Sequence, residues 1–121
     1  MGRTDWNAKL LIVEDEWLLA EQIAGALTAA GFNVMPPVPS VATALSAIDH
    51  ERVGAAVLDI RLNGEDSFEL ARELERRGIP FIFASGHVRA EIPGDLCGHP
   101  VLAKPIRVGE LVETLQAVIA S

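Results

Sequence analysis

Carboxylate, hydroxyl and ammonium side chains follow the apolar runs of this sequence. Glu14 and Asp15 follow "KLLIV", and Asp59 lies near the end of "AAVLDI". Ser85 closes "PFIFAS", and Lys104 follows "VLA". Carboxylates bind hard dications such as Mg²⁺ or Mn²⁺, whereas ammonium and hydroxyl groups bind phosphoryl oxygens. These residue types predict phosphoryl-transfer chemistry, provided that the fold brings them together.

Each residue type suggests a separate role. We expect Asp15 and Asp59 to supply carboxylate ligands to the metal ion, and Glu14 to hold a metal-bound water. With the acids neutralised by the metal, an anionic donor can approach, and Asp59 can act as a nucleophile that forms an aspartyl phosphate. Lys104 and Ser85 would then stabilise the charge on the phosphoryl oxygens.

The elements that must position these residues alternate between strand and helix. Each predicted strand is a short, unbroken apolar run, which is typical of a parallel sheet covered on both faces. The sequence therefore predicts an α/β fold with a doubly wound five-stranded parallel sheet, in which ligands bind beyond the carboxyl ends of the strands. The predicted strands are residues 9–13, 32–38, 55–60, 80–85 and 101–105; the predicted helices are 14–31, 40–51, 65–78 and 106–121, with at most a short helix in 86–100.

Local signals refine these boundaries. We expect Ser40 to cap the second helix, and Gly31 and Gly78 to end the first and third helices. Pro36 and Pro37 are expected to stop the second strand. Trp17, directly after the acids, is expected to pack at the start of the first helix.

Length and composition limit the classes of function. The 121 residues, 50% of them hydrophobic, are enough for one domain, 1–121, with its own core. A formal net charge of −7 argues against nucleic-acid binding. No apolar run approaches the roughly 18 residues of a membrane span and no signal peptide is evident, so we expect a soluble, cytoplasmic protein without a membrane partner. No effector domain is expected, because the sequence ends at Ser121.

Each candidate residue also has an ordinary structural explanation. The acids around Asp15 suit the positive end of a helix, and Asp59 or Ser85 could be turn residues. Lys104 could be a surface lysine before a proline at a helix start. These explanations do not account for the fact that four strand ends all carry residues suited to the same chemistry. We therefore favour a shared site.

Four short motifs resemble those of the receiver domain of two-component response regulators: "VEDE", "LDIRLNGE", "FASG" and "LAKP". The resemblance extends over residues 9–119 and implies a flavodoxin-like (βα)5 fold with strand order 2-1-3-4-5. It implies that Asp59 is the phosphoacceptor and that Glu14 and Asp15 form the metal pocket, with Asp15 as a direct ligand. The main-chain carbonyl of Arg61 would be a further metal ligand. Ser85 would be the switch residue, and Lys104 would contact the phosphoryl group.

"PFIFASGH" resembles more narrowly the "PFxFATGY" segment of the FAT GUY response regulators of alphaproteobacteria. That subset has a short fourth helix and is often paired with histidine kinases of the HWE type. Ser85 replaces the threonine of the pattern and His87 the tyrosine. Many receivers carry an aromatic switch residue where this chain has Val101, so an inward-swinging ring cannot be the output step here.

The resemblance implies a phosphorylatable switch whose partners are a sensor histidine kinase or phosphotransfer protein and a downstream protein, with homodimerisation as a further possibility. Chemistry would be limited to self-phosphorylation and slow autodephosphorylation, so we expect no enzyme in the usual sense. The main alternative is a receiver-like scaffold that binds a partner without phosphorylation. A flavin carrier is disfavoured because "EDEW" would repel an anionic phosphate, and a haloacid-dehalogenase-type phosphotransferase would need a D-x-D pair after the first strand.

Overall fold

The computed structural model describes residues 8–86 and 92–121, which form six strands, four α-helices and one 3₁₀ helix. In chain order they are β1 (Lys9–Val13), α1 (Trp17–Ala29), α2 (Val41–His50), β2 (Val53–Asp59), β3 (Arg61–Leu62), β4 (Glu65–Asp66), α3 (Phe68–Arg76), β5 (Phe81–Ser85), a 3₁₀ helix (Gly94–Leu96), β6 (Val101–Ala103) and α4 (Val108–Ala120).

The main sheet consists of four parallel strands in the order β1-β2-β5-β6. Helices cover both faces, because the strands are apolar on both. One face packs against α1 and α4 around Leu10, Ile12 and Ile82. The other packs against α2 and α3 around Leu58 and Phe83. The predicted α/β class and doubly wound parallel sheet are confirmed.

The short second strand predicted within residues 32–38 is wrong as a regular strand, whereas the interruption expected at Pro36 and Pro37 is present. The segment lies beside β1, where the predicted order places it, but contributes only isolated parallel bridges at Val34 and Val38. The N–H of Met35 donates to Leu10, and that of Val38 donates to Ile12. A regular ladder would use residue 37 for the second bond, and Pro37 has no N–H. The chain therefore slips by one residue, and the five-strand order holds only through these bridges.

Helix boundaries follow local signals in most cases. Ser40 caps α2 in a reciprocal arrangement. Its hydroxyl oxygen accepts from the Thr43 N–H, and its own main-chain N–H donates to the Thr43 hydroxyl oxygen. Gly31 and Gly78, with φ of 102° and 73°, lie just beyond α1 and α3. The packing expected of Trp17 is wrong: this residue is 74% exposed, and the buried face of α1 begins only at Ala20.

A two-stranded antiparallel hairpin follows β2 and was not predicted. Arg61 pairs with Asp66, and Leu62 pairs with Glu65. The connecting residues are Asn63 and Gly64, with φ of 51° and 86°. Positive φ at both central residues is the property of a type I′ hairpin turn, for which Asn-Gly is a favoured sequence.

The segment predicted to hold at most a short helix is described in part. Residues 94–96 form a single turn of 3₁₀ helix. Residues 87–91, including His87, lie outside the described residues. Across the described part of the chain, no helix has the length and apolar character needed to cross a membrane.

Candidate functional site

The carboxyl ends of the four strands carry the polar residues singled out above. Glu14 and Asp15 follow β1, and Asp59 is the last residue of β2, the strand beside it. Ser85 is the last residue of β5, and Lys104 follows β6. Because all four strands run in the same direction, their carboxyl ends lie along one edge of the sheet.

An ammonium group joins the outer and central strands. Lys104 Nζ donates to Glu14 Oε1 at 2.8 Å and to Asp59 Oδ2 at 3.0 Å. Only 3% of the Glu14 side chain and 9% of the Asp59 side chain are exposed, so both carboxylates are largely removed from water. The backbone of Lys104 is fixed to the sheet, because its main-chain N–H donates to the Ser85 carbonyl and so continues the β5–β6 ladder. The Lys104–Pro105 peptide bond is cis.

For both Lys104 and Glu14, burial and hydrogen bonding shift the pKa in opposite directions. Burial alone would lower the pKa of Lys104, but its hydrogen bonds to Glu14 and Asp59 outweigh that effect and raise it. The pKa of Glu14 is also raised, chiefly by burial and in addition by the negative charge of Asp59. The hydrogen bond from Lys104 opposes this rise without cancelling it. The Lys104 ammonium therefore stays charged, but its hydrogen bond does not cancel the effects of burial and of Asp59 on the pKa of Glu14.

Three carboxylates converge at this edge. One oxygen from each of Glu14, Asp15 and Asp59 lies within 4.8 Å of the other two. Within residues 8–86 and 92–121, hydrogen bonds engage both oxygens of Glu14 but only Oδ2 of Asp15 and of Asp59. With respect to these described residues, Oδ1 of each aspartate is available to a cation, and the donor set fits Mg²⁺, which takes one or two carboxylates and keeps several waters.

The remaining predicted residues occupy less central positions. Ser85 is buried and pairs in register with Ala103 of β6, one residue beyond the pairing of Asp59 with Ala84. Arg61 is exposed and begins β3, two residues after Asp59, so that its main chain belongs to the hairpin. Val101 is 40% exposed at the start of β6, away from the carboxyl end where the acids lie.

One contact of the site was missed from the sequence. The main-chain N–H of Asn63, at the tip of the hairpin, donates to Asp15 Oδ2 at 2.9 Å. The Asn-Gly pair was the available signal for the turn. No sequence pattern would have predicted that the tip of this turn contacts an acid 48 residues earlier.

Comparisons with known proteins match this architecture. A family model described as the response regulator receiver domain matches residues 10–116. The transcriptional regulatory protein TcrA of Mycobacterium tuberculosis is 35% identical over 116 residues, which cover 92% of this chain and 46% of TcrA. The chain spans about half the length of the curated relatives that it matches.

Solved structures agree over nearly the whole chain. The solution structure of SdrG from Sphingomonas melonis Fr1 is 32% identical, with a TM-score of 0.81 over 94% of this chain and 97% of SdrG. The BeF₃-activated conformation of SdrG is 34% identical, with a TM-score of 0.78 over 92% of this chain and 95% of that one. The chain therefore belongs to the response regulator receiver domain family of two-component systems.

Proposed function

We propose that this receiver domain accepts a phosphoryl group on Asp59 from a sensor histidine kinase or a phosphotransfer protein. The resemblance to the FAT GUY subset favours a kinase of the HWE type. The observation that carries the proposal is the Lys104 ammonium, which bridges Glu14 and Asp59 at the carboxyl edge of the sheet. A cation held beside a buried carboxylate lies where the charge of an incoming phosphoryl group would develop.

The transfer step involves one bond formed and one broken. A carboxylate oxygen of Asp59 attacks the phosphorus of the donor phosphohistidine, and the phosphorus–nitrogen bond breaks in line with the attack. The imidazole leaves with the electron pair and takes a proton from solvent, while Asp59 becomes an acyl phosphate. The Lys104 ammonium then pairs with the phosphoryl oxygens, and the Ser85 hydroxyl donates to another of them.

The acidic cluster fits a Mg²⁺ or Mn²⁺ ion. Asp15 and Asp59 would bind it through their available oxygens, with the Arg61 carbonyl as a further ligand and Glu14 holding a bound water. When bound, the ion supplies positive charge that offsets the repulsion between the carboxylates and an anionic donor.

Phosphorylation would act as a switch. The new charge at the edge of the sheet biases the surrounding loops, and a downstream protein binds the altered surface or receives the phosphoryl group in turn. Hydrolysis of the acyl phosphate by water returns Asp59 and inorganic phosphate. Since the domain acts only on its own phosphoryl group, we do not class it as an enzyme.

Intact mass spectrometry tests the proposal. Incubation with acetyl phosphate and Mg²⁺ is expected to add one phosphoryl group to the wild-type chain and none to Asp59→Asn, because the amide is not a nucleophile at neutral pH. Asp49→Asn, which replaces an exposed aspartate in α2, is the matched control and is expected to be phosphorylated as wild type.

Two outcomes would contradict the assignment of Asp59 as a phosphoacceptor, and a third would contradict the role of the metal ion. An adduct on Asp59→Asn would place the acceptor elsewhere. No adduct on the wild-type chain, with either acetyl phosphate or a phosphohistidine donor, would favour a receiver-like scaffold that binds its partner unmodified. An adduct that persists in EDTA would show that transfer does not need the metal ion.

A further inference from the structure

We propose that the Asn63-Gly64 turn is a positioning device for the metal site, through the main-chain N–H that it aims at Asp15. This inference rests on the proposed function, because it concerns how the same acidic cluster is prepared for its cation. The turn itself contributes no metal ligand. Its role is to fix the orientation of a carboxylate that does.

The contact itself is specific. The Asn63 N–H donates to Oδ2 of Asp15 at 2.9 Å, and Asp15 contributes an oxygen to the cluster with Glu14 and Asp59. An aspartate side chain on a loop would otherwise rotate about two torsions. With Oδ2 engaged by a fixed donor, Oδ1 remains available to a cation, and hydrogen bonds of this kind orient ligands and raise metal affinity.

The donor is fixed because the hairpin is anchored on both sides. Leu62, adjacent to Asn63, is fully buried in the core between the sheet and helices α2 and α3. At the base of the hairpin, the Ser67 N–H donates to the Ile60 carbonyl at 2.9 Å. The tip therefore cannot withdraw from Asp15 without disturbing core packing or this closing bond.

The turn residues suit this task. Asn63 has φ of 51° and Gly64 has φ of 86°, which are left-handed values that asparagine tolerates and glycine adopts freely. A Cβ atom added at Gly64 would meet no heavy atom within 4 Å. A substitution there would therefore act through backbone conformation alone, which makes the turn testable without a steric clash.

Coupling between turn and cation must be reciprocal. If the ordered turn increases Mg²⁺ affinity by some factor, bound Mg²⁺ must favour the ordered turn by the same factor. Hydrogen exchange of the Asn63 amide is therefore expected to slow when Mg²⁺ is added. Faster exchange on Mg²⁺ addition would overturn the proposal, since it would show that the cation displaces the hydrogen bond.

The decisive variant is Gly64→Ala, with Mg²⁺ affinity measured by calorimetry on the full chain. We expect about ten-fold weaker binding, the lower end of the effect seen when a partner of a metal ligand is lost. Gly78→Ala is the matched control, because Gly78 also has a positive φ of 73° and also has no atom within 4 Å of an added Cβ. Its position beyond α3 leaves it out of the hairpin, so wild-type affinity is expected.

A rescue variant separates positioning from general damage. Gly64→Asn adds a larger side chain than alanine but tolerates left-handed φ, so it is expected to recover most of the affinity. Equal affinities in wild type and Gly64→Ala would overturn the inference while leaving the proposed function intact. Equal losses in Gly64→Ala and Gly78→Ala would also overturn it. Failure of the wild-type chain to bind Mg²⁺ would instead contradict the proposed function.

Discussion

Replacing Lys104 with methionine is expected to slow phosphorylation by acetyl phosphate by about 100-fold or more, the scale of loss when a charge-stabilising group is removed from a reaction centre. Methionine keeps an apolar stem of similar length and removes only the ammonium that bonds Glu14 and Asp59. Mg²⁺ affinity should not fall, because the ammonium no longer competes with the cation for the carboxylates. A time course of intact mass gives the rate.

Lys9→Met is the matched control for this variant. It removes the same charge at the opposite end of β1, where Lys9 pairs with the exposed Glu51, and it should be phosphorylated at the wild-type rate. Wild-type phosphorylation of Lys104→Met would show that the bridging ammonium has no part in the transfer. Loss of Mg²⁺ binding by Lys104→Met would show that the lysine holds the pocket together instead.

Replacing Asp15 with asparagine is expected to have opposite effects on stability without and with Mg²⁺. Without metal, Asp15 lies close to Glu14 and Asp59, while Lys104 bonds only to those two acids, so removing the Asp15 charge should raise the free energy of unfolding by about 1 kcal/mol. Asparagine keeps an oxygen that can accept from the Asn63 N–H. With Mg²⁺ at ten times its dissociation constant, the wild-type chain should gain about 1.4 kcal/mol and the variant almost nothing.

Urea unfolding with and without Mg²⁺ measures both effects. Glu65→Gln is the control, because it removes one exposed acid from the hairpin without touching the cluster. It should show the wild-type response to Mg²⁺ and little change in its absence. A metal-free Asp15→Asn chain less stable than wild type would contradict the role of repulsion, and an unchanged Mg²⁺ response would remove Asp15 from the metal site.

Much of the fold could be predicted because the strands are short apolar runs with abrupt polar ends. Those ends mark where buried backbone meets the sheet edge, and the residues there, such as Asp59 and Lys104, were found by that change in polarity alone. Residue chemistry suggested their roles, and the resemblance to the receiver family implied the same roles. The sequence could not predict that Lys104 bonds to both Glu14 and Asp59, because this depends on how adjacent strands align and on the path of a long side chain.

Other features depend on effects that periodicity does not reveal. The interruption at Pro36 and Pro37 was expected, but the return of Val38 to β1 with a one-residue slip was not, because it depends on which N–H groups can reach β1. The hairpin strands have two residues each, too few for any alternation to be visible. Trp17 is hydrophobic and helical, but the buried face of α1 consists of Ala20, Ile23 and Leu27, and Trp17 is left 74% exposed.

The most direct test of the central claim is to locate the phosphoryl group chemically. Borohydride reduces an aspartyl phosphate to homoserine, which peptide mass spectrometry assigns to a residue. After treatment with acetyl phosphate and Mg²⁺, we expect homoserine at position 59 and at no other position. Homoserine at position 15, or a phosphoryl group retained on Ser85, would contradict the assignment of Asp59 as the acceptor.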